Sequence, residues 1–142
     1  MNKLYCIPKL QQMKDYLVFA EEYQMRFEYN DFFLPAVLDH ELETERLIET
    51  YLAAGRDCSQ DTLHGAFLDI CINSMDSSIF KVSDMRVRQS MEIARKMGLR
   101  AVIFHTNYIV NFRLQGYLDT WLLRSEAYWR QILKEYQGQE IF

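Results

Sequence analysis

One glutamate and two histidines stand out as residues that could do chemistry: Glu28 in "RFEY", His64 in "DTLHGAF" and His105 in "RAVIFH". A carboxylate accepts hydrogen bonds. An imidazole accepts and donates them, exchanges protons near neutral pH and ligates metals. Each of the three lies at or near the end of a short apolar run. Side chains along a strand alternate between two faces. If Phe27 and Tyr29 face one way, Arg26 and Glu28 face the other. If Leu63 packs inward on its helices, His64 faces away from them. If Val102 and Phe104 pack the same way, Ala101, Ile103 and His105 lie opposite. Three consecutive strands then carry Glu28, His64 and His105 on one side of a sheet. Such a group suits the oxygens of a small polar ligand, with Glu28 orienting one histidine. Each residue also has a plainer reading: Glu28 can pair with Arg26, and a histidine at a strand end can be structural. Asn107 is a weaker candidate for ligand contact. Asn107 and Asp69 also fit turns, since Asp bonds its own backbone and Asn tolerates left-handed geometry. Cys71 has no histidine partner visible in the sequence.

The elements that must hold these residues alternate. "KLYCIP" reads as a strand ended by proline. Leu10, Met13, Leu17 and Ala20 recur at helical spacing. Arg26 to Tyr29 is a second strand. Asp39 can cap a helix that runs to about Ala54 and stops at Gly55, with Glu41 and Glu43 favourable in its first turn. Asp61 to Phe67 is a third strand. Ser83 can cap the next helix, which carries Val87, Met91 and Ala94 and ends at Gly98. Arg100 to His105 is the clearest strand. The last helix carries Trp121, Ser125, Tyr128, Trp129, Ile132 and Tyr136, with its two tryptophans expected in the core, and ends at Gly138. A fifth strand begins at Glu140-Ile141-Phe142. Strict alternation predicts an α/β fold with a parallel sheet covered by helices. Each unit takes about 35 residues, close to the span of one unit in a barrel of about 250 residues. The expected architecture is therefore four βα units of a (β/α)8 TIM barrel, a half barrel over residues 1–142 as one domain, with the fifth strand only begun. A small open doubly wound sheet is the rival. In both, ligands bind at the C-terminal ends of the strands, where Glu28, His64 and His105 lie.

Composition narrows the function classes. Of 142 residues, 49% are hydrophobic and 25% charged, an ordinary globular balance. The net charge is −4 and no basic cluster is present, which speaks against a nucleic-acid partner. Three cysteines, Cys6, Cys58 and Cys71, form no C-x-x-C pair and predict a reducing, cytoplasmic setting. The first residues contain no long apolar segment of a signal peptide, and no membrane span is expected.

"LHGAFLDI" and "DMRVRQSMEIARKMGLRAVIFH" resemble the middle of the xylose isomerase-like TIM barrels. That superfamily includes the sugar phosphate isomerases/epimerases and the endonuclease IV group. The matching positions are His64, Ala66, Phe67, Arg86, Ser90, Ala94, Met97, Gly98, Val102 and His105. The resemblance is strongest from Thr62 to Asn107. It departs after His105, where the family often has Pro-Gly and this chain has Thr106-Asn107.

The resemblance implies a barrel that depends on a divalent metal (Mn, Mg, Co or Zn) when complete. In the sugar-converting members the metal ligands lie mainly in the second half, beginning with a glutamate at the end of the fifth strand. This chain ends at Glu140-Ile141-Phe142, before that position, so no metal is expected in it alone. His64, His105 and Glu28 would then contact substrate. In the endonuclease IV branch, His64 and His105 would themselves be metal ligands. The expected function is a fragment or truncated form of a metal-dependent sugar (phosphate) isomerase/epimerase, inactive alone, with a small sugar or sugar phosphate as substrate. The alternative is a non-enzymatic half-barrel module that self-associates or binds a complementary half through its open sheet edges. An endonuclease IV-like repair fragment ranks below both because of the acidic charge.

Overall fold

The computed structural model describes residues 4–112 and 114–142. Five strands form one sheet: β1 (Tyr5–Cys6), β2 (Arg26–Tyr29), β3 (Thr62–His64), β4 (Ala101–Ile103) and β5 (Glu140–Ile141). Every neighbouring pair is parallel, and the spatial order is β1-β2-β3-β4-β5. This order decides between the two expected architectures. A doubly wound sheet reverses direction at a switch point; here each strand is added beside the last. Crossovers between parallel strands are right-handed, so a sheet that grows in one direction places its helices on one face. The fold is α/β, a five-stranded parallel sheet flanked by helices, half of a TIM-type barrel.

The helices are α1 (Met13–Glu22), preceded by a single 3₁₀ turn, α2 (Pro35–Leu38), α3 (Glu41–Leu52), α4 (Ser77–Met97) and α5 (Tyr117–Glu135). Strand alternation follows the pattern in the sequence. Phe27, Tyr29, Leu63 and Val102 are buried under the helices, whereas Arg26, Glu28 and His64 on the other face are only half-buried. The core continues through Ile48 and Tyr51 of α3, Val87, Met91 and Ala94 of α4, and Tyr128 and Ile132 of α5. No helix among the described residues is long and apolar enough to cross a membrane.

Local details differ from the sequence expectations: β1 and β4 are confined to Tyr5–Cys6 and Ala101–Ile103, shorter than the runs Lys3 to Pro8 and Arg100 to His105, because pairing sets their limits. The third strand spans Thr62–His64, not Asp61 to Phe67: Gly65 still donates to the Ile103 carbonyl at 2.9 Å, but the chain then turns into a loop. Ser83 is not the cap of α4. Asp76 is, accepting from the Ser78 and Ile79 amides at 2.8 and 3.3 Å, so the helix starts well before Ser83. Asp39 caps nothing. It takes a bidentate bond from Arg86 at 2.6 and 3.0 Å, which holds its carboxyl below the ordinary range, and His40 occupies the N-cap position of α3. The tryptophans sit at the margins of the core, half-buried, with Ser125, Tyr128 and Ile132 forming the buried stripe of α5.

A buried polar knot joins β2 to β3 at their N-terminal ends. Asp61 is fully buried and accepts from the Phe27 amide (2.9 Å), the Tyr29 hydroxyl (3.2 Å) and the Arg56 guanidinium (2.8 and 3.1 Å). Arg56 also reaches the Met25 carbonyl at 3.1 Å and lies over the Phe27 ring. Both carboxylate oxygens thus find the donors that burial demands. The knot lies at the opposite end of these strands from the histidines and fixes the relative placement of β2 and β3.

Candidate functional site at the C-terminal ends of the strands

Glu28, His64 and His105 form one continuous hydrogen-bonded chain. His64 Nδ1 lies 2.8 Å from Glu28 Oε1, and His64 Nε2 lies 3.2 Å from His105 Nε2. Arg26, the alternative partner of Glu28, turns toward the Tyr5 hydroxyl at 3.4 Å. Register explains the convergence. Glu28 pairs with Thr62 and His64 pairs with Ile103, so Glu28 and His64 are diagonal neighbours on the helix-free face. His105, two residues beyond Ile103, rises above them.

The proton positions follow from the chemistry of the partners. An ionised carboxylate only accepts, so His64 Nδ1 carries the proton in that bond. The Nε2 of a neutral His64 is then a bare acceptor, and His105 Nε2–H must donate to it. The exposed His105 ring is thereby linked through His64 to the Glu28 carboxylate.

Aromatic rings wall one side. Phe67 stacks on His105, with ring centres 4.5 Å apart and planes 30° apart, and stands edge-on to His64 at 5.0 Å. Phe33, from the loop after β2, flanks Phe67 at 4.9 Å. The loop that carries Phe67 is held by two serines of α4. Ser90 donates to the Arg86 carbonyl and accepts from the Ala66 amide, both at 3.0 Å. Ser83 donates to the Ile79 carbonyl and accepts from the Cys71 amide, both at 2.8 Å. Gly65 makes room for the Phe104 ring: a Cβ there would lie 2.3 Å from it.

Asn107 and Asp69 adopt positive φ, 51° and 58°. The side-chain amide of Asn107 donates to the Ile70 carbonyl, tying the loop after β4 to the loop after β3. That bond fixes the rim of the site at Asn107. Cys71 Sγ contacts Asn73 Oδ1 at 3.1 Å.

The separation of the two Nε2 atoms can also be set beside that of two nitrogens on one metal. Two nitrogens each about 2.05 Å from a tetrahedral zinc stand about 3.3 Å apart, close to the 3.2 Å between His64 Nε2 and His105 Nε2. Glu28 on the far nitrogen of His64 is the carboxylate that commonly orients a ligating imidazole. No group of three His, Cys, Asp or Glu residues among the described residues could hold a metal ion.

Sequence reasoning missed Asp61 with Arg56, and Phe33. Asp61 was read as the first residue of a strand, and its partners, Arg56 in the loop before it and Phe27 and Tyr29 on the neighbouring strand, are joined to it only by the fold. Phe33 lies in a segment with no periodicity.

No known protein-family profile matches the chain, and no curated protein matches it in sequence. Solved structures do match in shape. The chain is a half barrel of a known kind. It superposes on the TTHB071 protein from Thermus thermophilus, described as soaked with ZnCl2, with a TM-score of 0.66 and 17% identity, covering 98% of this chain and 53% of that one. It is similar to a D-tagatose 3-epimerase-like protein with a TM-score of 0.63 and 17% identity, covering 99% of this chain and 51% of that one. The chain thus spans about half the length of these structures, and the likeness is one of fold.

Proposed function

We propose that this chain forms one wall of the active site of a sugar (phosphate) isomerase/epimerase-type barrel. The observation that carries the reading is the unbroken Glu28–His64–His105 chain at the C-terminal ends of three successive parallel strands. The similarity in fold to a D-tagatose 3-epimerase-like protein supports it. In this reading His105, with His64 behind it, bonds hydroxyl or carbonyl oxygens of a small sugar and takes or gives a proton there. Glu28 holds the His64 tautomer. Phe67 and Phe33 offer an apolar surface to the C–H side of the sugar. A divalent metal, when bound in the complete site, polarises a substrate oxygen as a Lewis acid. The chain alone binds sugar without turning it over, because its two histidines make only part of a metal site.

The test is a titration of the chain with D-tagatose, D-fructose and their phosphates, watched through the imidazole NMR signals. Binding moves the His64 and His105 signals together, and His105→Ala abolishes the response. Signals that stay fixed through millimolar sugar contradict the reading.

A second reading has its own observation, the 3.2 Å approach of the two Nε2 atoms. In it the histidines ligate zinc directly, and the zinc-soaked TTHB071 protein makes zinc the ion to try first. Isothermal titration with Zn²⁺ distinguishes the two. Stoichiometric binding lost in both His64→Ala and His105→Ala supports ligation; heat unchanged by either substitution rules it out. The net charge of −4 argues against DNA as the substrate in either case.

A further inference from the structure

We propose that Thr62 is a further positioning residue of the site: its hydroxyl donates to the second oxygen of Glu28 and so fixes the carboxylate that holds His64. The role rests on the Glu28–His64 bond of the proposed function, and not on which ligand the histidines take.

Thr62 lies on the helix-free face of the sheet. It is two residues before His64 on β3, so both side chains point the same way. Its register partners are Glu28 on β2 and Ala101 on β4. No helix lies over that face, yet Thr62 is only 2% exposed. Its cover comes from side chains beside it. Glu28 stands level with Thr62 but bonds His64, one step further along β3. The glutamate therefore leans across the threonine, which sets carboxylate beside hydroxyl.

The hydroxyl needs a partner. Thr62 Oγ1 is closed to solvent and has no hydrogen-bond partner among the described residues. A buried hydroxyl in that state costs stability, and buried polar groups are almost always paired. Because the atom is enclosed by this chain's own groups, its partner is a neighbour within the chain, and not water, ligand or a second molecule. Of the two register partners, Ala101 has no side-chain acceptor. Glu28 has one to spare: Oε1 takes the His64 Nδ1–H, and Oε2 is in no hydrogen bond among the described residues. The bond is made by turning Thr62 about Cα–Cβ, between staggered positions, with the backbone in place. Glu28 is then held at both oxygens, and a donor to an ionised carboxylate makes one of the stronger hydrogen bonds. A carboxylate held in this way keeps its acceptor aimed at His64 Nδ1, and His64 keeps a bare Nε2 toward His105.

The test compares Thr62→Val, which removes the hydroxyl and keeps the shape, with Thr62→Ser, which keeps the hydroxyl. Thr62→Ala takes the place of Thr62→Val if circular dichroism shows that variant unfolded. The 142-residue chain is used without sugar or metal, so a failure to bind sugar leaves this result standing, and the reverse. Nitrogen-15 imidazole spectra at neutral pH report on His64. Thr62→Val should let His64 average between tautomers, and Thr62→Ser should keep the Nδ1–H form. Urea unfolding reports on the bond itself, through a double-mutant cycle with Glu28→Ala. Thr62→Val should lower the folded-to-unfolded ratio about tenfold when Glu28 is present, the order of a hydrogen bond to a charged group, and about twofold or less in Glu28→Ala. His64 signals unchanged by Thr62→Val, with a folded-to-unfolded ratio that stays level or rises, overturn the proposal, since the hydroxyl is then unpaired. An equal loss with and without Glu28 also overturns it, and assigns the hydroxyl to another acceptor, a backbone carbonyl or Asn30 Oδ1, a second buried oxygen without a partner.

Discussion

Replacing Glu28 by glutamine keeps the shape of the side chain and removes its charge. Glutamine presents either its carbonyl or its amide to His64 Nδ1, so the tautomer of His64 is no longer imposed. If the pair ligates zinc, Glu28→Gln should weaken binding by about 10-fold or more, the usual cost of losing an outer carboxylate, as read by isothermal titration. An unchanged affinity would remove Glu28 from the site. Asp61 behaves differently. Asp61→Ala leaves the Arg56 guanidinium, the Tyr29 hydroxyl and the Phe27 amide without their acceptor. Removing one partner of a buried ion pair costs about 3–5 kcal/mol, so urea unfolding should shift by that order. A loss under about 1 kcal/mol, no more than an ordinary hydrogen bond, would show that water replaces the carboxylate. The glutamate and histidines were legible from strand alternation alone, because a period of two fixes the face. Asp61 was not, because its partners are brought to it by strand pairing and by the path of the loop that carries Arg56, and periodicity records neither.

Helix boundaries show what local sequence decides. Ser83 was the expected cap, and Asp76, seven residues earlier, is the one used. Tertiary structure chooses Asp76, because Ser83 is needed inside the helix to hold the Cys71 amide. Asp76→Ala should cost about 1 kcal/mol, the ordinary value of a cap, and leave the histidine signals in place. Ser83→Ala should instead loosen the loop after β3, giving faster amide exchange at Cys71. Equal effects of the two changes on that amide would contradict this division of roles. Gly65→Ala tests the element that carries His64. The added methyl collides with the Phe104 ring, so stability should fall and both histidine environments should change together. The element order was readable because each βα unit repeats the same alternation of short apolar run and amphipathic helix. The strand ends were not, because β3 and β4 are only three residues long and their limits are set by pairing.

The whole molecule depends on buried tyrosines. Tyr29, Tyr51 and Tyr128 are each buried, and burial is the first cause of pushing their hydroxyls well above the ordinary value of 10.0. A group whose acidity is weakened by folding contributes stability that is complete below its unfolded value and is lost as pH rises past it. Stability should therefore hold up to about pH 10, where an unfolded tyrosine ionises, and fall steeply above it. Tyr29→Phe should blunt the fall; a flat profile to about pH 12, two units past the unfolded value, would show that these hydroxyls ionise freely in the folded chain. The half-barrel shape places Glu28, His64 and His105 on an open face, and the proposed chemistry rests on their being one linked chain. Nitrogen-15 imidazole NMR at neutral pH tests that link most directly. A linked chain predicts a fixed Nδ1–H tautomer for His64 and a fixed Nε2–H tautomer for His105, both lost in Glu28→Ala. Two histidines that average freely between tautomers, unaffected by Glu28→Ala, would contradict it.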